Sequence, residues 1–187
     1  MRQGLSPDLQ QRKREITERY GDRSKFLATM NPDLQQKAAQ DAERCILGDA
    51  PTLVSINIAY GSATAKMWLI PQLVNLSEYC GVRDKLTERQ LEECAGVIAT
   101  EYYFLKVSEL LLFFHRYKAG RYGKMYGAVD PLAITTALRE FVVERNRVLS
   151  RHEQESHTRH DPEAIDINEY ERRYGRLRPV LHEVMQR

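Results

Sequence analysis

A chain of 187 residues is long enough for one ordinary domain with extensions and too short for several. Its 42% hydrophobic content supports a core, while 29% charged residues leave a surplus for solvated helix or tail. A net charge of +2 excludes a bulk polycation, so any affinity for nucleic acid has to come from a local patch.

The N-terminus, MRQGLSPDLQQRKRE, has no apolar stretch of the kind a secretory signal needs. The longest apolar run, 110–114, is far too short to span a bilayer. Cys45, Cys80 and Cys94 are widely spaced without a Cys-x-x-Cys pair, and the last two lie on apolar helix patterns, so reduced, buried thiols are expected. These features imply a cytoplasmic protein without membrane contact.

Helix starts are punctuated in chain order. Ser6-Pro7, Asn31-Pro32, Asp130-Pro131 and Asp161-Pro162 each place a capping side chain before a proline, which loses nothing at the first helical position. The repeat SPDLQQ and NPDLQQ predicts two similarly capped helices over 5–20 and 31–47. Helices follow at about 53–60, 63–80, 88–104, 108–119 and 131–150, with a capping box at Thr87-Glu88-Arg89-Gln90 and C-capping glycines at Gly61, Gly81 and Gly120. Pro71 should kink the second of them. Residues 151–164 carry almost no apolar side chain and read as a mobile linker before a weak helix at about 166–186. No segment alternates as a strand does. The fold class is all-α, an irregular bundle of about five core helices with extra N-terminal and C-terminal helices. The division is a 1–49 extension, a 50–150 core, and a 151–187 linker with a last helix.

The helix at 108–119 is the most apolar and should be central. Glu109 sits in its first turn, where the helix dipole favours a carboxylate, so a cap explains it better than catalysis does. Its end runs into Arg116, Tyr117, Lys118, Gly120, Arg121, Tyr122, Gly123, Lys124, Tyr126 and Gly127, with four cations and three tyrosines within eleven residues. Tyrosines stack on bases while lysine and arginine neutralise phosphate, the combination that single-strand binders use. Equally, tyrosine and arginine anchor protein interfaces. A continuous positive groove past the rings would favour nucleic acid. Exposed rings beside an apolar groove, with Arg116 and Lys118 facing elsewhere, would favour an adaptor. The three glycines allow close approach of the backbone or positive φ. Their spacing fits neither phosphate-loop pattern, and Gly123-Lys124 is followed by Met125 rather than Ser or Thr.

The remaining motifs are weak. His157-x-x-His160 could ligate a metal, but its segment has no apolar support to hold geometry. Tyr102-x-x-x-Lys106 matches the spacing of a dehydrogenase pair without the fold that gives it meaning. No serine occupies a nucleophile elbow. No catalytic residue, metal or cofactor is assigned; an active site would have to gather Glu109, His115, Tyr126 and Asp130.

Residues 50–146 resemble a family of unknown activity from Bacteroides-type bacteria, their phages and mobile elements. The resemblance rests on Tyr60-Gly61, Trp68-Leu69, Leu73-Val74, Leu76-Ser77-Glu78, Gly81-Val82 and Leu105-Lys106-Val107-Ser108-Glu109-Leu110. It rests most on Phe113-Phe114, Lys118-Ala119-Gly120-Arg121-Tyr122-Gly123 and Tyr126-Gly127-Ala128-Val129-Asp130-Pro131. Pro71 and Met125 stand where it implies a helix former and an aromatic. Its setting, and a loose similarity to small helical helicase loaders, imply a role in DNA replication or mobile-element maintenance. The reading is a non-enzymatic accessory protein that binds nucleic acid or a replication partner through 116–127, with a protein–protein adaptor as the alternative and an enzyme as the third.

Overall fold

Proline and short polar side chains set where the helices begin. In a computed structural model residues 6–159 are described, and they form nine helices. These are α1 (Pro7–Tyr20), α2 (Arg23–Thr29), α3 (Leu34–Gln40), α4 (Ala42–Leu47), α5 (Leu53–Tyr60), α6 (Thr64–Tyr79), α7 (Glu88–Glu101), α8 (Val107–Lys118) and α9 (Pro131–Arg159). The protein is all-α over these residues, and the five helices expected for the core are α5 to α9. No helix among them is long and apolar enough to cross a membrane.

At α7 the hydroxyl of Thr87 accepts the Gln90 N–H at 3.3 Å, and the Gln90 carboxamide accepts the Thr87 N–H at 2.9 Å. This is the reciprocal cap that the sequence predicts. α6 continues as one helix through Pro71, where a kink is expected from the missing donor. The helix predicted over 31–47 is divided instead. Asn31 accepts the Asp33 N–H, and Asp41 leaves helical geometry at φ −138° while its side chain caps Arg44 N–H at 2.9 Å. A further helix that sequence reading missed, α2, starts where Asp22 accepts the Lys25 N–H at 2.8 Å.

The chain divides into two units, residues 1–149 and 150–187. In the first, α8 is central: Leu110 to Phe114 are all buried, and α8 packs on α3, α4 and α6. The core also takes Phe26, Ile46, Ile56, Trp68, Leu73, Ile98, Leu138 and Phe141. Residues 7–49, set apart in the sequence as an extension, therefore supply core side chains. The indole N–H of Trp68 donates to the Met30 carbonyl at 2.6 Å, and the Tyr60 hydroxyl donates to the Gly21 carbonyl at 2.8 Å. Both bonds satisfy polar tips of rings whose bodies are in the core.

α9 corrects the expectation of a linker from residue 151. It runs on to Arg159 with residues 151–157 exposed, and Ser156 and His157 bond to the Glu153 carbonyl. Extending an existing helix adds a hydrogen bond per residue fixed, whereas starting one is costly. A charged segment can thus continue a helix nucleated in the core. The helix expected at 166–186 and His160 lie outside the described residues, among which no three His, Cys, Asp or Glu side chains are grouped to hold a metal.

Candidate interaction surface

The surface is built where α8 stops. Gly120 has φ +78°; its N–H bonds to the Tyr117 carbonyl at 2.9 Å, and the Arg121 N–H reaches the Arg116 carbonyl at 3.1 Å. The pair of bonds forms a Schellman cap, and the left-handed residue between them favours glycine. At the far end Asp130 accepts the Leu132 N–H at 2.8 Å and opens α9. Between these caps the connector is tied down. The Asp84 N–H bonds to the Gly127 carbonyl at 3.2 Å, the Val129 N–H bonds to the Asp84 carbonyl at 2.9 Å, and the Val129 side chain is buried. The connector is thus held to the turn before α7, as well as by its own ends.

The basic and aromatic residues separate into two groups. The first faces α9. Glu144 receives Arg116 Nη1 at 3.1 Å, Arg121 Nε at 3.0 Å and the Tyr122 hydroxyl at 3.4 Å. Arg116 also lies over the Phe141 ring. Tyr122 packs on Phe113 and Tyr117, and Tyr117 is buried. Burial pushes both phenols up to about 12, with the Glu144 charge adding at Tyr122. These four residues act as a clasp between the connector and α9.

The second group faces outward around a cleft of about 340 Å³ lined by Tyr79, Cys80, Lys118, Lys124 and Met125, together with the backbone of Gly120 and Gly123. Lys118 donates to the Asn75 side-chain oxygen and stands 5.4 Å from the centre of the Tyr79 ring; its partial burial lowers its pKa. Cys80 and Met125 bring their sulfurs within 3.7 Å at the floor. Among the described residues two lysines line this cleft and no acid does. Beside Met125, Tyr126 is 84% exposed, the most exposed of the large hydrophobic side chains among the described residues. Neither the Lys124 nor the Tyr126 side chain has a hydrogen-bond or ring partner among the described residues.

Of the seven side chains expected to form one binding face, Arg116, Tyr117 and Tyr122 are therefore turned toward the fold, and Arg121 is tied to Glu144 with half of its side chain still exposed. Lys118 and Lys124 meet at the cleft, with Tyr126 next to it. Sequence reading missed Asn75, Tyr79 and Asp84, which come from other parts of the chain, and Glu144. The carboxylate of Glu109 is fully buried, accepting Arg145 Nε at 2.6 Å and the Lys106 N–H at 2.7 Å. It caps α8 as expected and in addition pairs with α9. None of Glu109, His115, Tyr126 and Asp130 lines the cleft.

No curated protein and no solved structure matches the chain. Residues 85–177 match the model of a family of unknown function (DUF6633), a stretch that includes the whole connector and leaves out the Tyr60 to Val82 motifs.

Proposed function

We propose that this chain is a non-enzymatic binding module whose connector captures an acidic segment of a partner protein. The observation that carries the reading is the division of the four cations. Arg116 and Arg121 share the single carboxylate of Glu144, while Lys118 and Lys124 share a cleft with an apolar floor and no acid among its described lining residues. Two lysines attract a carboxylate-bearing segment, and Tyr126 offers a ring whose burial would anchor it, as tyrosine does at many interfaces. Backbone held by glycines lets an extended segment lie close. The setting proposed is cytoplasmic, among accessory proteins of DNA replication or mobile-element maintenance, as the resemblance implies. Direct contact with nucleic acid is the weaker reading, because two of the four cations are already paired and a phosphate backbone needs several.

Panning a displayed random-peptide library on the purified protein, with labelled single- and double-stranded oligonucleotides titrated in parallel at two salt concentrations, tests this. The expected outcome is enrichment of peptides that join acidic to aromatic residues, lost on Tyr126→Ala and on Lys124→Glu. Oligonucleotide binding at low salt without such enrichment transfers the site to nucleic acid. Enriched peptides indifferent to both substitutions remove the connector from the account.

A further inference from the structure

A second cleft, of about 500 Å³, lies among α1, α3, α4 and α8 and is independent of the connector. Its floor is apolar, formed by Met30, Leu34, Ala38, Cys45, Ala50 and Leu111. The one hydroxyl in that wall is already used, since Ser108 Oγ donates to the Cys45 carbonyl at 2.8 Å. Charge in the lining is confined to three cations, Arg19, Lys37 and Arg44, and two acids, Asp41 and Asp49.

Both acids are engaged within the fold. Asp49 holds Arg19 at 2.6 Å, and Asp41 caps α4 by accepting the Arg44 N–H. Lys37 and Arg44 by contrast take part in no ion pair among the described residues. Asp41 caps a neutral N–H and so keeps its charge; with three cations against two acids, the site combines an apolar floor with a net charge of +1. Its volume is that of a pocket for one small molecule, and such pockets pair apolar walls with a few polar groups that fix orientation.

We infer that this cleft binds a small amphipathic anion, with a carboxylate or similar head between Lys37 and Arg44 and an apolar body on the Met30–Leu34–Leu111 floor. The apolar body supplies most of the affinity, because both cations are solvent-exposed and their ion pairs are screened. The head supplies selection for an anion over a neutral analogue.

Titration calorimetry of the full chain with hexanoate, octanoate, decanoate and dodecanoate, with the matching alcohols and with 2-naphthoate, tests the inference. Affinity is expected to rise about fourfold per added methylene until the floor is covered. Carboxylates are expected to bind better than alcohols by up to about tenfold. Changing Lys37 and Arg44 together to Gln should erase that preference and leave alcohol binding unchanged; both positions are exposed, so folding should survive. Ala38→Trp, which fills the cleft, should abolish binding of every compound. Binding of 2-naphthoate with the same dependence on Lys37 and Arg44 supports the same site with a rigid body. Absence of binding by both acid types overturns the inference, as does an affinity independent of chain length or of the two cations.

Discussion

The two ends of α8 each place a carboxylate–arginine pair against α9, and they differ in depth. At the N-terminal end Glu109 is wholly enclosed, with its Arg145 partner only 14% exposed. At the C-terminal end Glu144 is one-quarter exposed and divides itself between Arg116 and Arg121, the latter half exposed. A buried pair is costly to break because one partner is left charged without water, whereas a pair at the rim falls back on solvent. The deep end thus fixes α8 on α9, and the rim end fixes the connector's inner half while Lys124 and Tyr126 in its outer half stay exposed.

The largest effect should come from breaking the deep pair. Glu109→Ala strands Arg145 and the Lys106 N–H, and chemical denaturation should report a loss of about 3–5 kcal/mol. Replacing both Glu109 and Arg145 by Leu should recover much of that loss. A loss on Glu109→Ala as small as that on Glu144→Gln at the rim would erase the contrast.

Next comes alkaline pH. Tyr117 and Tyr122 ionise near 12 in the fold and near 10 when unfolded. Raised folded values mean that the stabilisation is complete below pH 10 and is lost as pH climbs toward 12. Melting followed from pH 8 to 11.5 should show a steep alkaline fall, with each tyrosine accounting for about 2 kcal/mol at most. Tyr117→Phe and Tyr122→Phe should flatten it.

Smaller still is backbone strain. Gly123 (φ +96°) and Gly127 (φ +75°) have room for a side chain, so Gly127→Val should cost about 1–2 kcal/mol through conformation alone. Glu144→Gln should cost about 1 kcal/mol, since each rim pair is worth little. Thermal melts of the two variants rank them.

Much of this was legible in the sequence because it was local. Pro131 after Asp130, the Thr87–Gln90 box and the glycine after Ala119 each announce a helix end through a single residue's chemistry. The linker at 151 was misread because charge composition alone does not reveal that a helix entering from the core continues outward. The 31–47 helix was misread because Asp41 can cap a second helix as readily as sit within one. The clasp was partly legible. Ile134, Ala137, Leu138, Phe141 and Val148 trace the inward stripe of α9, and Glu144 and Arg145 occupy its next inward positions, where a charge implies a partner. What no periodicity could give is the identity of those partners, or the meeting of Tyr79 and Asn75 with Lys118. These depend on how α6 packs beside the end of α8.

The central claim is that the connector has a structural half and a recognition half, and one paired measurement tests it. Melting temperature and affinity for a peptide selected on the parent protein are compared between Arg116→Gln/Arg121→Gln and Lys124→Gln/Tyr126→Ala. The clasp variant should melt earlier and keep its affinity within about threefold, given the small worth of rim charges. The open-half variant should melt like the parent, because exposed substitutions change stability little, and lose binding by tenfold or more, the order expected on removing an interface anchor. Loss of binding in the clasp variant with full binding in the open-half variant would contradict the account.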